Sequence, residues 1–113
     1  MDQYHEPFDK LGKETKEITR AIRSLCEEFE AVDWYNQRMD VTEDEELYEI
    51  LKHNRDEELE HAAMALEWLR RKLPELDQEL RENLFKEGKI AGHHGHEEEA
   101  PSTGKSLKIG KLK

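Results

Sequence analysis

Residues 47–69 read LYEILKHNRDEELEHAAMALEWL, and the spacing of their apolar side chains sets the fold. Stepping from Leu47 and Leu51 by threes and fours leads through Asn54, Glu58, His61 and Ala65 to Trp68, all on one face of a helix. That face is apolar at its two ends and polar in its middle. Ile50, Ala62 and Leu69 widen the apolar ends. Thr42-Glu43-Asp44-Glu45 reads as a capping box ahead of the run: Thr42 accepts from the backbone N–H of residue 45, and Glu45 reaches back to residue 42. Acidic residues 43–46 suit the positive end of the helix dipole. At the other end Leu73 precedes Pro74, which disfavours a helical residue before it, so the helix is expected to stop there.

Upstream, no glycine or proline interrupts the chain between Lys13 and Leu73. Ile18, Ile22, Leu25, Phe29 and Val32 alternate by fours and threes, and Leu11 and Met39 extend the register, which predicts a first helix from about Phe8 to Met39. Downstream, Pro74 fits the first position of a third, shorter helix, in which Leu76, Leu80 and Leu84 recur every four residues and Gly88 supplies a left-handed stop. The fold class expected is all-α: two long antiparallel helices plus a short C-terminal helix within residues 1–88. Residues 89–105 then read as a flexible linker, with His93, His94 and His96 beside Glu97, Glu98 and Glu99. These three histidines are either solvated or an additional place for metal. Apolar residues return at Leu107, Ile109 and Leu112, so residues 106–113 read as a docking peptide on a tether.

The composition fits this outline. Of 113 residues, 35% are hydrophobic and 41% charged, which suits long helices with a narrow apolar stripe better than a thick core. Part of the apolar surface is therefore expected to be covered by another chain. A net charge of −10 repels phosphate backbones and attracts cations, which argues against nucleic acid as a partner and for metal ions. Cys26 is the single cysteine, so disulfide-, cysteine-zinc- and iron–sulfur-based designs are unavailable, and it reads as a small core residue. No apolar run approaches membrane-spanning length and no signal-like segment is visible, so neither a membrane nor a secretory role is expected.

A carboxylate and an imidazole in the middle of a core face need compensation by an ion pair, a hydrogen-bond network or a metal. Glu58-x-x-His61 places one of each on adjacent turns of one face, able to share a cation. On the first helix Glu28 lies at the edge of the seam, with Tyr35 two turns further along the same side. One Glu opposite one Glu-x-x-His is half of the carboxylate di-metal site of ferritin-like four-helix bundles. Two copies about a two-fold axis would supply four helices and two each of Glu28, Glu58 and His61, an oxygen–nitrogen set that suits two iron or manganese ions. The competing structural reading pairs this Glu and His with Arg55 or Arg23 inside a dimeric hairpin. Trp34 and Tyr35 read as core or as aromatic neighbours of the centre, Glu27, Glu30 and Asp33 as a solvated acidic face or a guide for cations, and His53 as a surface residue.

The stretches EEFEAVDWY at 27–35, HNRDEELEHAAM at 53–64 and LEWLRR at 66–71 closely resemble the encapsulated ferritins, ferritin-like cargo proteins of encapsulin nanocompartments. The resemblance implies that Glu28, Glu58 and His61 are iron ligands of a di-iron centre completed across a dimer, flanked by Trp34 and Tyr35. It implies that Glu27 and Glu30 lie near the route by which metal enters, and His53 in the same neighbourhood. It further implies a decameric ring of dimers without a storage cavity, acting as a ferroxidase in the lumen of an encapsulin shell in the prokaryotic cytoplasm. Leu107, Ile109, Gly110 and Leu112 would then dock on the shell protein, Gly110 allowing close backbone approach. Two rival readings remain: a non-enzymatic helical adaptor carried by its tail, and a di-metal site with peroxidase or hydrolase chemistry.

Overall fold

The computed structural model describes residues 3–92. Three α-helices follow in order: α1 over Lys13–Val41, α2 over Glu45–Lys72 and α3 over Pro74–Asn83. Among the described residues there is no strand, and no helix is long and apolar enough to cross a membrane. His93, His94 and His96, and Leu107, Ile109, Gly110 and Leu112 of the expected docking peptide, lie outside the described residues.

The first helix begins later than its apolar register predicts. Phe8–Lys10 form a separate 3₁₀ turn, closed by Lys10 N–H donating to Pro7 O, and Gly12 is extended at φ −72°, ψ 161°. The α-helical ladder therefore starts at Lys13, with Lys16 N–H donating to Gly12 O at 3.1 Å. The Lys16 ammonium sits 3.9 Å from the centre of the Phe8 ring, whose edge contact with Tyr4 anchors the lead-in. The cap of α2 also differs from expectation. Asp44, not Thr42, is the N-cap: its Oδ1 accepts from Leu47 N–H at 2.9 Å. Thr42 is engaged elsewhere, its N–H closing α1 on Arg38 O and its hydroxyl accepting from Asp44 N–H. A three-residue connection leaves α2 no choice but to run back antiparallel along α1.

Packing of α1 on α2 follows a heptad-like rhythm. Ile18, Ala21, Leu25, Glu28, Val32, Tyr35 and Met39 are half-buried, at alternating steps of three and four. Against them α2 contributes Leu51, Ala62 and Leu69, the buried hydrophobic residues among those described. Three such side chains supply only about 1.5–3 kcal/mol each for the large ones, a thin core for so long a hairpin. Ile22 and Phe29, which the sequence places in the same seam, stay exposed at 43% and 52%. They sit on the flank of the stripe, where a two-helix hairpin has no third element to cover them. Cys26, expected in the core, is exposed for the same reason.

From Glu75 the chain forms a unit of its own. Pro74 opens α3 as expected, but the helix ends at Asn83 rather than near Gly88. Leu84 N–H closes on Leu80 O at 2.9 Å, and Phe85 takes the left-handed conformation at φ 58° that glycine was expected to supply. Residues 84–92 are turns and bends, with Gly88 also left-handed at φ 89°.

Candidate metal centre

Glu28 lies near the midpoint of α1, and Glu58 and His61 near the midpoint of α2. Since the hairpin is antiparallel and nearly symmetric in length, these midpoints fall at the same height. One ligand atom from each of the three side chains lies within 4.8 Å of the others, and this is the only such group of three among the described residues. His61 Nδ1 stands 3.2 Å from Glu58 Oε1 and 3.5 Å from Glu28 Oε2. Glu58 and His61 meet because an i, i+3 pair on a helix shares a face; Glu28 meets them only through the packing of the helices.

The two carboxyls influence each other strongly. A hydrogen bond shared with Glu58 pushes Glu28 above the ordinary carboxylate range, and partial burial and the Glu58 charge add to it, while His61 opposes. Glu58 is held below that range, chiefly by the hydrogen bond from Glu28 and then by His61. Of the two carboxyls, Glu28 is therefore the harder to ionise and Glu58 the easier. A cation placed between them would relieve the repulsion between the two carboxylates. The donor set of two carboxylates and one imidazole fits iron, manganese or zinc. One chain supplies three side chains, fewer than a di-metal site needs, and they sit at the edge of the hairpin, with His61 43% exposed.

Other sequence candidates fall into distinct places. Tyr35 is half-buried two turns from Glu28, with the Arg38 guanidinium 5.3 Å above its ring. Trp34, Glu27 and Glu30 are exposed on α1 outside the three-residue cluster. His53 is on the surface, as expected, 3.5 Å from Glu57. Arg55, named as a structural partner for the site, instead donates to Asn36 Oδ1 at 2.8 Å and pairs with Asp56. Beyond Ile50 and Trp68, which the sequence places at the apolar ends of this face, the structure adds Met64. Ile50, Met64 and Trp68 lie at −11, +3 and +7 from His61, on its side of α2, and are 57%, 58% and 37% exposed. The signal was there in the helical spacing, but it looked like core.

A long helical hairpin with a Glu facing a Glu-x-x-His defines a ferritin-like carboxylate protein. Residues 3–87 match the EncFtn-like family, to which the chain belongs. It is 57% identical over 84 residues to a ferritin-like protein of Thermotoga maritima, covering 74% of each chain. It is 58% identical over 86 residues to the encapsulated ferritin-like protein of Rhodospirillum rubrum, covering 76% of this chain and 61% of that protein. Similarity extends to the encapsulin nanocompartment cargo protein EncC of Myxococcus xanthus, at 37% identity over 82 residues, 72% of this chain and 63% of that one. The chain thus spans less than two thirds of the last two relatives. A crystal structure of a Nitrosomonas europaea protein superposes with a TM-score of 0.77 at 57% identity, covering 80% of this chain and 99% of the other.

Proposed function

We propose that the protein is a ferroxidase subunit that binds Fe²⁺ between two copies of the hairpin, oxidises it to Fe³⁺ and hands it on for storage inside an encapsulin shell. The observation that carries this reading is the grouping of Glu28, Glu58 and His61 within 4.8 Å on an incompletely covered edge. Two copies about a two-fold axis would double the donors to four carboxylates and two imidazoles, enough for two irons. Hard carboxylate oxygens favour Fe³⁺ over Fe²⁺, and a pair of irons gives up its electrons to dioxygen. In this reading Glu28 and Glu58 would bind and neutralise the metal charge, and the His61 imidazole would complete the set. Tyr35 and Trp34 flank the centre, Glu27 and Glu30 attract incoming cations, and His53 lies in the same neighbourhood.

The thin in-chain core and the exposed Ile50, Met64 and Trp68 support pairing of copies, into dimers and then a decameric ring. The names of the Rhodospirillum and Myxococcus relatives support delivery to an encapsulin shell in a prokaryotic cytoplasm. We assign that delivery to residues 106–113, carried on the linker 89–105, with Leu107, Ile109, Gly110 and Leu112 as contacts. The test is ferrous oxidation in air, followed by absorbance at stoichiometric Fe²⁺, for the native chain beside Glu58→Ala. A fast native phase that vanishes in the variant is expected. Equal, slow oxidation in both would leave a shell-directed helical hairpin with a merely structural polar stripe. Removal of residues 106–113 should abolish packaging and leave oxidation in solution intact.

A further inference from the structure

The centre has a cationic neighbour that its chemistry leaves unused. Arg55 lies three residues before Glu58 and is the nearest Lys or Arg to it along α2. Residues three apart on a helix share a face, so a guanidinium at this position has the Glu58 carboxylate within reach. The same helix makes such a pair further on: Arg70, three residues from Glu67, donates to both of its oxygens at 2.8 Å. Arg55 and Glu58 are also equally deep, each side chain 24% exposed. An arginine bound to Glu58 and Glu28 would fill with its own charge the place a metal cation takes, and the centre would be closed from within the chain.

Arg55 commits its donors elsewhere. Its Nη1 donates across to Asn36 Oδ1 on α1 at 2.8 Å, and its Nε donates to Asp56 Oδ1 at 3.1 Å. Asp56 is fixed in turn by Lys52, whose Nζ donates to the other carboxylate oxygen at 3.2 Å. Lys52 and Arg55 hold the Asp56 carboxyl below its ordinary range, so it stays charged and keeps its grip on the guanidinium. Asp56 alone secures one edge of Arg55; Asn36 secures the other. Asn36 is exposed and uncharged, so its bond adds little to the packing of the helices, and its effect is to fix where the guanidinium lies. We propose that Asn36 is a positioning residue, which by accepting from Arg55 withholds the guanidinium from Glu58 and Glu28 and keeps both carboxylates open to a metal cation. This rests on the reading of Glu28, Glu58 and His61 as a metal centre, and adds the device that keeps the chain's own arginine out of it. Without Asn36 the freed Nη1 exchanges a neutral acceptor for a carboxylate, and a hydrogen bond with both partners charged is the stronger of the two.

The test is anaerobic calorimetric titration of the full metal-free chain with Fe²⁺, for the native protein, Asn36→Ala, Arg55→Met and the two combined, with His61→Ala as reference. Asn36 is an exposed position inside α1, and alanine and methionine are both good helix formers, so the variants keep the fold. Asn36→Ala is expected to weaken Fe²⁺ binding about tenfold, because the metal must displace a guanidinium. Adding Arg55→Met to it is expected to restore native affinity, since the competing cation is gone. Arg55→Met by itself should bind Fe²⁺ at least as tightly as the native chain. Unchanged affinity in Asn36→Ala overturns the inference. A loss that Arg55→Met fails to restore, or an equal loss in Arg55→Met alone, also overturns it and assigns the Arg55–Asn36 bond to holding the helices together. If His61→Ala binds Fe²⁺ as the native chain does, the reading of the centre falls, and this inference with it.

Discussion

Two carboxylate clusters on α2, nine residues apart, meet opposite fates. Glu67 accepts from Arg70 Nε at 2.8 Å and Arg71 Nε at 2.7 Å, and these guanidiniums hold it down to about 2. Glu58 and Glu28 face each other with only an imidazole beside them, and Glu28 is pushed upward. Both clusters use i, i+3 spacing within the same helix, so spacing alone does not separate an internally compensated ion pair from a place that calls for a cation. What separates them is the sign of the neighbours: the first cluster is complete within one chain, and the second becomes electrostatically satisfied when positive charge arrives from outside.

The largest expected break in that contrast is His61→Ala, which should reduce metal affinity at the centre about 100-fold or more, read by calorimetric titration with Zn²⁺ or anaerobic Fe²⁺. Glu67→Ala should leave the same titration unchanged. An equal loss in both variants would mean that the titrated metal binds to general acidic surface.

A smaller effect sharpens the comparison through pH. Because the folded chain holds the Glu28 proton more tightly than the unfolded chain, metal-free stability should fall as pH rises through the raised value of Glu28. Glu28→Gln should remove that slope and raise the melting temperature at neutral pH, with no gain in acid where Glu28 is already protonated. Thermal melts of the two metal-free proteins between acid and neutral pH check this, and a gain that persists undiminished in acid would contradict it. Metal uptake should also release protons and weaken as pH falls.

The smallest effect belongs to Glu67. Its lowered value means a contribution present above the unfolded carboxylate range, near pH 4.3, and lost as pH falls toward about 2. The group is solvent-exposed, so Glu67→Gln should lower the melting temperature by only a degree or two at neutral pH and not at all at low pH.

Much of the centre was legible in advance because helical periodicity is a one-dimensional property. The three-residue step from Glu58 to His61 and the break of apolar character at Asn54 and Glu58 mark two members of the Glu28–Glu58–His61 cluster on one face of α2. Less legible was which flank of each stripe meets the other helix. Ile22 and Phe29 have the spacing of seam residues, yet the seam runs through Ala21, Glu28 and Tyr35, because two helices touch along a line narrower than the apolar stripe. Thr42 and Asp44 both suit an N-cap, and the competition was settled by Thr42 being spent on closing α1. The stop of α3 at Asn83 followed from a left-handed Phe85, a residue with no intrinsic preference for that turn. In the competing structural reading Arg55 or Arg23 paired with the cluster, but Arg55 donates instead to Asn36, one helix across and 19 positions away in sequence.

The sequence by itself determined the helices, the short connection that makes them antiparallel, and the presence of Glu58 and His61 on one face, since each is a matter of local spacing and turn length. Only the tertiary structure decided that Glu28 stands within reach of them, that its carboxyl is harder to ionise next to Glu58, and that Ile50, Met64 and Trp68 remain exposed along α2. Those are distances between helices, set by the rotation of each about its own axis. A periodic pattern fixes such a rotation only to the width of its stripe.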